Sequence, residues 1–219
     1  RTEYSVMNTT VAFLAQTLAI FMGFFTRVVF TRTLSEGYEG INGLFTDILN
    51  ILSLSELGVG TAITYALYTP IARRDIKKQQ ILMRMFRNFY RITAGFVLLA
   101  GLCLIPFLDI LMKDRPDVNH LIIIYLLYLL NSVVSYLLIY KKTLVDAHQM
   151  NYITVMYHNG FLVLQDILQI MVLFLTRNFI LFLVIAVVCT IIGNICMSRK
   201  ADRLFPYLKE PCKEQLPQE

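Results

Sequence analysis

The chain has 219 residues, 57% of them hydrophobic and 16% charged, with a net charge of +5. Soluble domains run near ~45–50% apolar and ~25% charged. A water-soluble fold of this size cannot bury so much apolar surface, whereas lipid can solvate the outer faces of helices. The apolar runs lack the ~10-residue alternation of barrel strands, so the composition predicts an all-α integral membrane protein.

Four runs, 4–26, 92–108, 118–140 and 178–198, contain no Asp, Glu, Lys or Arg. A spanning helix needs ~20 mostly apolar residues, and the pattern predicts a six-helix transmembrane bundle with spans at 9–31, 41–69, 90–112, 119–140, 152–176 and 178–198. The first run is longer than a signal-peptide core and continues into Arg27 without a small-residue cleavage site, so it reads as a true span. It sets Thr9, Ala12, Gln16, Gly23 and Arg27 on one face. Arg27 stays charged and can bind phosphate oxygens bidentately, which suits a cavity that holds an anionic headgroup. The competing reading is a guanidinium snorkelling to the interface.

The second predicted span is long, and a bend near Gly58 and Gly60 or a tilt accommodates it. Pro70 is expected to end it. Asp47, Asn50, Ser53 and Glu56 recur at steps of three and cover a broad sector of the helix, as expected of a face on a wet interior. The segment 72–91 is basic and amphipathic, with Ile76, Ile81, Leu82, Met85, Phe86 and Phe89 among the cations. It reads first as a topology determinant and second as a contact for anionic headgroups. Pro106 predicts a kink late in the third span.

The fifth span carries the clearest polar pattern. Asn151, His158 and Gln165 recur every seven residues, Tyr152, Asn159 and Asp166 do so one step along, and Gln169 joins them. These side chains form one stripe on an otherwise apolar helix. The stripe must face protein or water, as a polar packing seam or as the wall of a hydrated cavity. Asp166 favours the cavity, since a seam does not need a carboxylate.

With the N-terminus inside, the inner segments hold 15 of the 20 basic residues and the outer ones five: Arg27, Arg32, Lys113, Arg115 and Arg177. The positive-inside rule then predicts a multi-pass protein of the cell membrane with both termini cytoplasmic, provided the number of spans is even. The basic balance reports topology and not nucleic-acid binding. Cys103, Cys189, Cys196 and Cys212 form no CxxC pair or Cys/His cluster, and His120, His148 and His158 have no metal-ligand spacing. No catalytic motif or nucleotide fingerprint is present. The chain reads as a non-enzyme with no cofactor and no metal. Residues 205–219, with Pro206, Pro211 and Pro217, read as an exposed cytoplasmic tail or linker.

Four stretches carry a resemblance: EGYEGINGLF at 36–45, LSLSELGVGTAITYALYTPIARRD at 52–75, NSVVSYLLIYKK at 131–142 and SRKADRLFPYLK at 198–209. Together they resemble polysaccharide flippases of the multidrug/oligosaccharidyl-lipid/polysaccharide exporter superfamily. The resemblance implies that 1–204 form the N-terminal six-helix lobe of a MATE-like transporter and that 205–219 lead toward a second lobe. It implies a cargo of undecaprenyl-pyrophosphate-linked oligosaccharide, moved by alternating access for capsule, O-antigen or exopolysaccharide synthesis. The partners it implies are that lipid-linked cargo, membrane lipids and a second six-helix lobe. The half length and the absent initiator Met lead to the expectation of a fragment of a longer product. The cavity candidates are Arg27, Gln16, Asp47, Asn50, Glu56, His158, Asn159, Gln165, Asp166 and Gln169. A drug/cation antiporter of the same superfamily and a non-transporting scaffold subunit are the competing functions.

Overall fold

Backbone N–H and C=O groups inside a bilayer find no water, and a helix satisfies them within its own segment. The fold follows that requirement. The structure, a computed structural model, describes residues 2–53, 59–108, 112 and 120–209. Its helices are α1 (Thr2–Thr33), α2 (Glu36–Ser53), α3 (Val59–Ala72), α4 (Ile76–Leu104), α5 (Leu121–Tyr136), α6 (Ile139–Ala147), α7 (Asn151–Thr176) and α8 (Phe179–Leu204). Short 3-10 turns occupy Ile105–Phe107 and Pro206–Lys209. No strand occurs among the described residues.

Five segments are long and apolar enough to cross a membrane: Thr9–Thr33, Ile76–Phe107, Leu121–Ala147, Asn151–Thr176 and Phe179–Leu204. The chain is a multi-pass membrane protein. The expected second span, 41–69, is not a single described helix. Its residues fall on α2, whose Glu36, Glu39 and Asp47 make it too charged to qualify, and on α3, which has only 14 residues. Residues 54–58, with Glu56 and Gly58, lie outside the described residues.

The contacts sort the helix ends into two levels. At the upper end, Phe30 of α1, Tyr38 of α2 and Phe179 at the start of α8 pack ring against ring, at 5.6 Å and 5.1 Å. At the lower end, the Pro70 carbonyl of α3 accepts from Gln79 of α4 at 3.2 Å, and Gln79 in turn accepts from the Tyr207 hydroxyl at 2.6 Å. Lys141 of α6 meets Asp202 of α8 there at 2.8 Å. The α2–α3 pair therefore runs from the upper end to the lower end, as α8 does. Among the described residues, Arg73, Arg74, Lys77, Lys78, Arg84, Lys141, Lys142, Arg199, Lys200 and Arg203 lie toward the lower end, and Arg27, Arg32 and Arg177 toward the upper.

Small residues set the close helix contacts, as expected where lipid gives no hydrophobic drive for association. α1 packs chiefly on α7. Its half-buried Ala12, Ala15 and Ala19 continue into buried Thr26. α4 and α5 meet at Gly101, where an added Cβ would lie 2.3 Å from Leu129 Cδ1, and the buried Tyr125 hydroxyl donates to the Gly101 carbonyl at 2.8 Å.

Among the described residues, three helix stops, at Arg74, Gln149 and Arg177, lack the glycine that usually marks them, and the first two share one closure. After α3, Arg74 takes the left-handed conformation (φ 54°), with Asp75 N–H bonded to the Pro70 carbonyl and Arg74 N–H to that of Ile71. Gln149 (φ 63°) ends α6 with the same paired bonds to Val145 and Asp146. This is the Schellman closure, which satisfies carbonyls left over at a helix end. α3 thus runs through Pro70, expected to end it, and this closure stops it two residues later. Pro106 lies in the 3-10 turn that follows α4, so the expected distortion takes the form of a tightened last turn.

Residues 205–209 are docked where an exposed tail is expected. Phe205 is buried and stacks on His148 at 4.3 Å. Gln80 Nε2 donates to the Tyr207 carbonyl. Burial pushes the Tyr207 hydroxyl up to about 12. The apolar ring of Phe205 and the two glutamines are sufficient reason for this segment to fold back.

Candidate functional site

A cavity of about 360 Å³ opens between α5, α7 and α8, with the start of α6 at its lower edge. It extends along α7 from Thr154 to Gln165, about 16 Å of helical rise, and so reaches from the lower end to the middle of the bundle. Its polar wall comes from Asn131 and Ser135 on α5, His158 and Gln165 on α7, and Thr190 and Asn194 on α8. Tyr157, Phe161, Leu162 and Cys189 supply apolar wall, and Lys142 stands at the lower edge.

Bonds behind the wall hold it in place. Asn194 Nδ2 donates to the Val134 carbonyl at 3.1 Å, which ties α8 to α5. Gln165 Nε2 lies 3.5 Å from Gln169 Oε1, and Gln169 Nε2 donates to the Phe182 carbonyl at 3.0 Å. The buried Gln169 thus backs Gln165 from the α8 side. Thr154 donates to Asp146 at 2.6 Å, joining α7 to α6 below the cavity. Gly193 lets Phe161 approach, since a Cβ there would lie 3.1 Å from its ring. The buried Asn131 Oδ1 has no hydrogen-bond partner. A dry, unbonded acceptor costs roughly 1–3 kcal/mol, and Asn131 is one of the residues that line the cavity.

The structure divides the predicted α7 stripe. His158 and Gln165 face the cavity. Asp166, one step round the helix, accepts from Thr26 of α1 at 3.0 Å in the α1–α7 seam. Asn159 shares that edge of α7 by its seven-residue spacing and is buried at 4% exposure. The stripe therefore divides between a cavity wall and a helix contact, because a sector that broad spans two neighbours.

The other candidates lie elsewhere. Gln16 is exposed on α1, one step off the alanine face that packs on α7. Arg27 is also exposed, its side chain at 74%, and pairs with Glu39 of α2 at 3.1 Å. Such an open ion pair contributes ~0–1 kcal/mol. Asp47 and Asn50 lie on the exposed side of α2, opposite Ile41, Phe45, Ile48 and Leu49 in the core. Glu56 is outside the described residues.

Sequence reasoning missed Asn131, Ser135, Thr190, Asn194 and Lys142. The pairs Asn131/Ser135 and Thr190/Asn194 are each spaced i, i+4 in otherwise apolar spans, and that spacing was the available signal. The cavity offers donors and acceptors of both kinds and one cation. Among the described residues no three His, Cys, Asp or Glu side chains converge as a metal site. No protein-family model matches the chain, and no curated protein or solved structure matches it.

Proposed function

We propose that this chain is one lobe of a flippase that carries an undecaprenyl-pyrophosphate-linked oligosaccharide across the cell membrane for surface-polysaccharide synthesis, alternating access with a second six-helix lobe. The observation that carries this reading is a hydrogen-bonding cavity inside a bundle of membrane-length helices. A sugar hydroxyl placed in hydrocarbon without a partner costs several kcal/mol. Amide and hydroxyl side chains from α5, α7 and α8 replace the lost water with both donors and acceptors. The four stretches quoted above supply the cargo class. The exposed polar strip Thr46, Asp47 and Asn50 on α2 cannot rest against acyl chains at low cost, and it suits the wet cleft toward the second lobe.

On this reading α2 and α3 act together as an interrupted sixth crossing. An even number of crossings then leaves both termini on the cation-rich lower side, which the positive-inside rule assigns to the cytoplasm. The antiporter reading draws no support from Asp166, which is bonded in the α1–α7 seam and does not line the cavity. A scaffold subunit has no need of an open polar cavity.

The test is glycan export by the full-length protein carrying His158→Ala and Gln165→Ala together. We expect surface polysaccharide to fall at least tenfold, on the order of one or two lost hydrogen bonds at about 1.4 kcal/mol per factor of ten. Wild-type export by a mutant present at wild-type level in the membrane would overturn the assignment.

A further inference from the structure

Two basic segments far apart in the sequence meet at the lower end. Arg73, Arg74 and Lys78 are exposed around the start of α4, and Arg199 and Arg203 are exposed on the last turns of α8. The Pro206–Lys209 turn ties these places together. Tyr207 bonds to Gln79 and Gln80, so Lys78 is adjacent in sequence to one anchor and Arg203 stands four residues before the other.

Two carboxylates lie within these segments, and of them Asp202 is paired with a cation while Asp75 serves as a helix cap and keeps its charge. Asp75 caps α4 by accepting from the Lys78 N–H at 3.0 Å, and Asp202 is held by Lys141 at 2.8 Å. Asp146, on neighbouring α6, accepts from Thr154. The five guanidinium and ammonium groups therefore dominate this surface.

Each basic segment continues into a lipid-facing apolar face. On α4, Lys78 shares a helical face with exposed Met85 and Phe89, two and three turns further in. On α8, Arg199 shares one with exposed Ile192 and Ile195. Cations at the boundary above apolar side chains match a phospholipid, with its phosphate outside and its chains inside. An acidic protein would leave those apolar groups uncovered.

We infer that Arg73, Arg74, Lys78, Arg199 and Arg203 form one surface that binds the headgroups of anionic phospholipids, assembled by docking of the 205–209 turn against α4. This goes beyond positive-inside orientation, which requires cations but neither their convergence nor retention of a particular lipid. It is independent of the cargo.

The experiment titrates the purified full chain in neutral detergent with phosphatidylglycerol or phosphatidylcholine and counts bound lipids by native mass spectrometry. The first phosphatidylglycerol should bind tighter than phosphatidylcholine, should weaken as salt rises, and should not be displaced by excess inorganic phosphate. At about fivefold per cation, Arg73→Gln/Lys78→Gln and Arg199→Gln/Arg203→Gln should each weaken that same first binding event by roughly 25-fold. Arg199→Lys/Arg203→Lys should retain it. Equal affinity for the two lipids, or salt-insensitive binding of wild type, overturns the proposal without reliance on any mutant. So does a folded double-Gln variant that binds its first phosphatidylglycerol as tightly as wild type, since that outcome means two separate patches. Competition by inorganic phosphate would assign the site to a free anion, and selective capture of an acidic protein without lipid preference would assign it to a protein partner. Either result overturns the lipid assignment.

Discussion

Asn131 shows how a single side chain can report a site. Its Oδ1 is buried on the wall of the cavity without a donor. In a purely structural role that atom is a liability of roughly 1–3 kcal/mol, and a leucine of similar shape would remove it. We therefore expect Asn131→Leu to raise the melting temperature in detergent while lowering glycan export. A variant that melts lower and exports normally would show that Asn131 serves packing alone. Arg27 teaches the opposite lesson. It is the most conspicuous cation in the first span, yet its guanidinium is exposed and its partner Glu39 is 41% exposed, so the pair has little energetic weight. Lys141 and Asp202, at 15% and 21% exposure, form the more consequential pair, because removing one partner from a largely buried bridge leaves a charge uncompensated.

Among elements, α7 does the most. One edge of it lines the cavity through His158 and Gln165, and the next is bonded to α1 through Asp166. Its periodicity was legible because polar residues on an apolar helix stand out at 3.6 residues per turn. Which neighbour each edge meets depends on α1, α5 and α8, and nothing within α7 encodes that. The α4–α5 contact was not legible, since a glycine in an apolar span has several uses. Here Gly101 allows Leu129 to sit where a Cβ would be. Gly101→Ala should cost about 1–3 kcal/mol through overpacking. Gly43→Ala, with nothing within 4 Å of its added Cβ, should gain up to ~1 kcal/mol from better helix propensity. Thermal melts of the two variants in one detergent check both, and equal effects would mean that the close approach does not govern stability.

At the scale of the whole molecule, the cavity runs from the cation-rich end, where Lys142 lines it, toward the middle of the bundle. A wet cavity makes a definite prediction about cysteines. Maleimides react with the thiolate, which forms in water and not in lipid. Cys189 is buried and belongs to the cavity lining, while Cys103 is exposed on the apolar surface of α4. A protein retaining only Cys189 should be labelled by a water-soluble maleimide from the basic side, and one retaining only Cys103 should react far more slowly. The reverse order would mean a dry cavity.

The helical class, the membrane and the five membrane-length helices were decided by the sequence alone, because a charge-free run of spanning length has few stable places outside lipid. The cation asymmetry was equally plain. Tertiary structure decided the rest. It placed residues of α2 and α3 end to end across the bundle and folded Phe205 and Tyr207 back onto α4. It also gathered lone polar residues from three helices into one cavity. Periodicity tells which side chains share a face of a helix. It does not tell what that face meets, because the meeting depends on groups contributed by other segments.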